Sequence, residues 1–360
     1  MNAVKARNPT FDVAKALVML LVVGGHLGNL VSNPGSWCDP YFTNASIGVS
    51  MPLFFMMSGY FSAVSIRNGS FGKIFARAIG FLWPLFAFGC VIGAIIGVMG
   101  TKPLWKACLY PLVRIAFGGW FLLTIAIIYS VCAILIRIGK SESQRWLYLI
   151  IFYVCLFFAP SGGSFYWTSK CLHMFPYFVF GMLVLKPYEL YRKAVVAIPA
   201  GLLFIAVVAF EGDCWENGMS FYFVPTAWRV VLSDGHLFLC FWLRTIVGIS
   251  GSIFVLWLLD GVCSRANFMD RLAVFGTTTL GVYVMHEWPL VQMRESSQFL
   301  GAIPYILKWP VAISIFLICH YVTLFIRKHR HASFVFFGNE KWLQELIDSR
   351  VKGIVSGVKA

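Results

Sequence analysis

The sequence predicts an all-α, polytopic helical membrane protein with about ten transmembrane helices and both termini cytoplasmic. Three observations carry this. Of 360 residues, 59% are hydrophobic and only 12% charged, where soluble chains average about 45–50% apolar and about 25% charged. The mean hydropathy is +0.78, which leaves too few polar groups to cover a water-facing surface. The apolar stretches recur from end to end as continuous runs, not as the short alternating segments of a membrane β-barrel. Collagen-like, disordered and disulfide-scaffold classes are excluded by the same composition.

A span needs about 20 mostly apolar residues, and the candidates can be taken in order. The first, 11–31, follows a polar start with Lys5 and Arg7. No A-x-A-like cleavage site follows it, so it reads as an uncleaved span. The second, 46–66, runs into Arg67. The third, 78–99, follows Lys73 and Arg77, and the fourth, 119–138, opens on Gly118-Gly119-Trp120-Phe121-Leu122 and closes at Arg137. The fifth and sixth, 145–160 and 172–187, are short and read as tilted, broken or partly buried. The seventh, 194–211, begins after Lys193, and the eighth, 237–259, carries Arg244. The ninth, 272–291, contains His286, and the tenth, 304–326, ends at Arg327.

With the N-terminus inside, the inner loops and ends hold sixteen Lys and Arg before the tail, against eight on the outer side. Acidic residues lean the other way, with Glu211, Asp213, Glu216 and Asp234 in one outer loop. Basic inner loops and an even number of spans place both termini on the cytoplasmic side of a cell (plasma or inner) membrane. The net charge of +14 is thereby assigned to topology and anionic headgroups of the lipid bilayer; no basic block interleaved with exposed aromatics suggests nucleic acid. The organisation is a membrane-embedded domain, 1–331, and a cytoplasmic tail, 332–360, with Trp342, Leu343, Leu346, Ile347 and Val351 at the spacing of an interfacial amphipathic helix. The ten cysteines show no C-x-x-C and no Cys/His metal spacing, so no metal is expected. Cys38 and Cys214 fall in predicted outer loops, where a disulfide is possible.

Ionisable residues inside a span are expensive and mark function by default. The first span holds Asp12, Lys15 and His26. Asp12 and Lys15 are three apart, hence neighbours on one helix face. Lys15 and His26 are eleven apart, which at about 100° per residue puts them within about 20° of each other and about 16 Å apart in depth. Gly24 and Gly25 precede His26 and let a backbone or ligand come close. His286 is expected at a similar depth, so two distant spans would deliver imidazoles to one level. The plainer reading makes Asp12 and Lys15 interfacial anchors and the histidines core or interface residues. Arg67 and Arg77 suit a phosphorylated ligand, though positive-inside placement explains them as well. Arg244 requires a partner, Asp234 or the outer acidic loop.

These motifs, in order, resemble the acyltransferase family 3 membrane proteins, and most closely their sugar O-acetylase branch, the fucose 4-O-acetylase-like proteins. The resemblance is carried by Asp12-x-x-Lys15 followed by Val22-Val23-Gly24-Gly25-His26; by Met51-Pro52-Leu53-Phe54-Phe55 with Ser58-Gly59-Tyr60-Phe61; by Trp120-Phe121-Leu122; by Phe178-x-x-Gly181; and by Tyr283-x-x-His286. It spans positions 11 to about 290. It implies transfer of an acyl group, usually acetyl from acetyl-CoA as co-substrate, to a hydroxyl of a sugar or cell-surface glycan. The family's basic-residue-x10-His motif maps onto Lys15 and His26; many members carry Arg where Lys15 stands, and Lys lacks the planar bidentate fork.

The expectations that follow are these. His26 is the general base for the acceptor hydroxyl, and His286 orients the acceptor or stabilises the oxyanion. Asp12, Lys15, Ser58, Arg67, Arg77 and Arg244 support donor or substrate, and Ser58 is also the alternative nucleophile for a covalent route. The rival class is a transporter or flippase of a glycan or lipid-linked substrate.

Overall fold

The computed structural model describes residues 8–28, 39–99, 103–113, 115, 119–159, 166–210, 235–263, 268–295 and 307–338. Among them the regular structure is helical throughout. In chain order the helices are α1 (Pro9–Gly28), α2 (Asp39–Asn68), α3 (Phe71–Val98), α4 (Leu104–Val113), α5 (Trp120–Ile138), α6 (Glu142–Phe158), α7 (Tyr166–Phe180), α8 (Ala194–Phe210), α9 (Gly235–Cys263), α10 (Phe268–Gly276), α11 (Thr279–Glu295), α12 (Lys308–Lys328) and α13 (Arg330–Phe337). The protein is an all-α polytopic membrane protein. Seven helical segments in the described residues are long and apolar enough to cross a bilayer. The expected fifth, seventh and ninth spans form helices of only 17 residues each.

Local chemistry sets several boundaries. Ser70 caps α3 by accepting from the Lys73 amide at 3.3 Å. α6 opens on a capping box: the Ser141 hydroxyl accepts from the Gln144 amide at 3.2 Å, and the Gln144 side chain accepts from the Ser141 amide at 3.3 Å. Pro52, Pro84, Pro176, Pro199 and Pro289 lie within helices, a placement that membrane helices tolerate where neighbours satisfy the freed carbonyls.

The ninth expected span departs from expectation, because the chain breaks at Thr277-Thr278 into α10 and α11. The run of three threonines makes the break inexpensive. Thr277 Oγ1 donates to the Val274 carbonyl at 2.7 Å, Thr278 Oγ1 to Phe275 at 2.9 Å and Thr279 Oγ1 to Gly276 at 3.1 Å. The Val274 and Phe275 carbonyls also accept the Thr277 and Thr278 amides at 3.1 and 3.3 Å, so the hydroxyls reinforce a tightened last turn. α4 is a further addition, a short helix where a loop was expected.

The chain divides into two compact units. The first comprises residues 1–60, 176–221 and 229–324. Its buried core includes Phe11, Val18, Leu53, Met56, Tyr191 and Val247. Lipid tails are as apolar as these side chains, so close backbone approach contributes much of the packing. It is clearest where α2 meets α7: a Cβ on Gly59 would strike the Phe178 carbonyl, and one on Gly181 would strike the Met56 carbonyl. At this crossing α7 continues as a π-helical turn, Gly181–Leu185, before Lys186–Tyr188. The chain then turns at Glu189, which has φ 44°.

The second unit comprises residues 61–175, 222–228 and 325–360. Here α13 lies on α3: the Trp83 indole N–H donates to the Val335 carbonyl at 2.9 Å, and Phe88 packs on Phe336 with centroids 4.7 Å apart. α13 therefore runs through the expected boundary at 331–332. Trp342, Leu343, Leu346, Ile347 and Val351 lie outside the described residues, as do Cys38 and Cys214. Cys240 is disulfide-bonded, and seven other cysteines are free thiols.

Candidate active site

α1 organises the site in the first unit. At its N-terminal end, Lys15 Nζ lies 2.9 Å from Asp12 Oδ1, the geometry expected of an i,i+3 pair. Asp12 is buried and Lys15 is one-quarter exposed. α10 crosses so tightly here that Gly276 approaches the Asp12 carbonyl.

Further groups gather at the same end. Thr10 Oγ1 donates to Asp260 Oδ1 at 3.0 Å, and Arg192 bridges Glu189 at 2.9 Å and Asp260 at 3.8 Å. Phe11, Tyr60 and Tyr191 form an aromatic cluster, with Phe11 and Tyr60 centroids 4.6 Å apart. Lys186 Nζ sits 4.1 Å above the Tyr60 ring, a cation–π contact. Burial, with Tyr60 beside it, raises the pKa of Tyr191, so its phenol stays neutral. Sequence reasoning missed Tyr60, Lys186, Tyr191 and Asp260 as one group. Lys186 had counted only as a basic loop residue, and no local spacing links 10, 60, 186 and 260.

The C-terminal end of α1 carries His26, and α11 brings His286 to it: the ring centroids are 5.4 Å apart at an interplanar angle of 44°. His286 is fully buried. Its Nδ1 lies 2.7 Å from the Tyr283 carbonyl and 3.2 Å from that of Val282. A carbonyl oxygen only accepts, so Nδ1 carries the hydrogen, and the neutral ring has its basic lone pair on Nε2.

His26 is exposed, and the helix geometry says to what. Its stripe on α1, at seven, four and three residues earlier, is Met19, Val22 and Val23, and all three are buried. The outward stripe is the one with Leu17, which is 38% exposed. The imidazole therefore opens into the bundle, above a plug of apolar side chains, and Lys15 emerges below that plug.

The remaining candidates lie on α2, α3 and α9. Ser58 is half-buried on α2, and no described residue hydrogen-bonds its hydroxyl. Arg244 is half-buried on α9, and its carbonyl accepts from the Tyr177 hydroxyl at 3.1 Å; Asp234, its expected partner, lies outside the described residues. Arg67 and Arg77 belong to the second unit. Arg67 is exposed at the end of α2. Arg77 Nη1 donates to Ser65 Oγ at 3.1 Å, and its guanidinium lies 5.6 Å from the Tyr129 centroid. It ties α3 to α2 and α5. Among the described residues, no group of His, Cys, Asp and Glu is arranged to hold a metal.

Fold and site together define a polytopic helical membrane protein in which one helix carries an ion pair at one end and half of an imidazole pair at the other. The chain belongs to the acyltransferase family whose model, described as an acyltransferase domain, matches residues 8–326. It is similar to nodulation protein NolL of Mesorhizobium japonicum, with 29% identity over 191 residues, 50% of this chain and 48% of that one. It is also similar to nodulation protein NolL of Sinorhizobium fredii, with 38% identity over 90 residues, 24% of each chain. The chain thus spans about half the length of the first of these relatives and about a quarter of the second. No solved structure matches. The family model that matches describes an acyltransferase domain and not a transporter.

Proposed function

We propose that the protein transfers an acyl group, acetyl in the first instance, from acyl-CoA to a hydroxyl of a sugar or cell-surface glycan, in a cell membrane with both termini cytoplasmic. The observation that carries this reading is the pair His26 and His286, with rings 5.4 Å apart, set about 16 Å along α1 from Lys15. The relation to the two nodulation proteins supports the family and leaves the acceptor to experiment.

The chemistry follows from the groups. A sugar hydroxyl is a weak nucleophile near neutral pH. A positioned imidazole takes its proton as the oxygen attacks the thioester carbon, a contribution typically worth about 10²–10⁴-fold. A C–O bond forms, the C–S bond breaks, and the departing thiolate recovers the proton from the imidazolium to leave free CoA. His26 is the exposed ring and takes this role. His286, with its hydrogen on Nδ1, offers Nε2 as an acceptor and is the positioning residue that sets the tautomer and tilt of His26. An oxyanion-stabilising role for His286 requires a second proton on the ring. At the cytoplasmic end, Lys15 and Lys186 provide ammonium groups for the donor's phosphates, and Asp12 fixes Lys15 in place.

The test is labelled acetyl transfer from acetyl-CoA by the purified protein in liposomes, with glycans extracted from the host cell surface as acceptor. Acetylated glycan is expected. Intact acetyl-CoA beside unmodified glycan would contradict the reading. Two substitutions refine it. Lys15→Arg keeps most activity, whereas Lys15→Ala raises the KM for acetyl-CoA about tenfold or more; equal kinetics in both would leave Lys15 as a membrane anchor. His286→Ala lowers kcat and moves the acid limb of the pH–rate profile with little change in KM. A profile identical to the parent's would make His286 purely structural.

A further inference from the structure

The two glycines before His26 differ in what surrounds them. Gly24 shares a stripe with Leu17, seven residues earlier and within about 20°. Its missing side chain is occupied by Trp309: a Cβ there would lie 2.7 Å from the indole ring. Gly24 is therefore explained by packing. Gly25 is not. Ala14 and Val18, eleven and seven residues earlier, lie within about 20° of it on the helix wheel, and both are fully buried. Val22, one turn below, is 6% exposed. Gly25 thus points to the protein side of α1. Even so, a Cβ built on it comes within 4 Å of no atom of the described residues. An inward-facing position with no neighbour among the described residues, adjacent in sequence to the exposed imidazole, leaves room beside the reacting group.

We propose that this space receives the acyl chain of the donor during transfer, and that Gly25 sets the length of acyl group accepted. The inference rests on the acyl-transfer reading above. Its chemistry is that of the walls: on α1 the space is bordered by Leu21 and Val22, which offer no hydrogen bond to a hydroxylated acceptor but suit methyl and methylene groups. With the thioester carbon at the imidazole of His26, the alkyl end turns toward Gly25, whose Cα is about 3.8 Å from that of His26.

The test measures binding of acetyl-CoA, propionyl-CoA, butyryl-CoA and CoA itself to the full-length protein in nanodiscs, for the parent, Gly25→Ala and Gly25→Val. The added Cβ of the alanine variant meets nothing and alanine is the better helix former, so its thermal midpoint should equal or exceed the parent's. Its affinity for butyryl-CoA should fall relative to acetyl-CoA by about fourfold per displaced methylene. Gly25→Val should weaken acetyl-CoA as well, and CoA should bind all three proteins alike. Uniform weakening of every ligand, CoA included, or unchanged ratios in both variants, overturns the role of Gly25 and leaves the acyl-transfer reading standing. Failure of the parent to bind CoA or any acyl-CoA overturns that reading and this one together.

Discussion

His26→Ala should reduce acyl transfer by about 10²–10⁴-fold, the usual contribution of a positioned base, while leaving insertion and thermal stability near those of the parent. The stability half of this expectation follows from exposure. His26 is exposed within the bundle and fills no core position, and substitutions away from packed features usually lie within about ±0.5 kcal/mol. The activity half follows from chemistry. Its partner His286 is fully buried and tied through Nδ1 to α11 carbonyls, so it is held in place when the His26 ring is removed and cannot move to replace it. Steady-state transfer from labelled acetyl-CoA, with circular dichroism and a melting curve on the same preparation, checks both halves. Normal glycan acetylation by the alanine variant would remove His26 from the mechanism.

Gly181→Ala is expected to be strongly destabilising. Its Cβ would meet the backbone carbonyl of Met56, not the far end of a flexible side chain. Overpacking of this kind typically costs about 1–3 kcal/mol, and a backbone obstacle on a second helix belongs at the upper end. The consequence reaches the site, because the same crossing places Tyr60 on α2 beneath Lys186. The variant should melt several degrees lower and bind acetyl-CoA more weakly. Gly59→Ala, opposed by the Phe178 carbonyl, should do the same. A melting point equal to the parent's in both variants would show that the helices separate without penalty.

The class of fold was legible because one property, uninterrupted apolar length, has one structural solution in lipid. The break in the ninth span was not, since hydropathy is blind to it. Thr277, Thr278 and Thr279 read as ordinary span residues, and only their hydroxyl bonds to Val274, Phe275 and Gly276 reveal a helix end. Asp12 and Lys15 were readable from local spacing. The meeting of His26 and His286 followed from a depth count along two spans, although the count for His286 assumed one unbroken helix. Arg77 shows the opposite case. Its charge suggested a ligand, while its contacts with Ser65 and Tyr129, both distant in sequence, could not be read from local spacing. The group formed by Tyr60, Lys186, Tyr191 and Asp260 depends on chain crossings far apart in sequence, and basic loop residues look alike whether they mark topology or bind an anion.

The account depends on His26 opening into a ligand-accessible place while His286 stays enclosed. Carbethoxylation of histidine, mapped by mass spectrometry with and without acetyl-CoA, tests this directly. Rapid labelling of His26, slow labelling of His286 and protection of His26 by acetyl-CoA are predicted. Labelling of His26 that is indifferent to acetyl-CoA, in protein that still transfers acetyl groups, would contradict it.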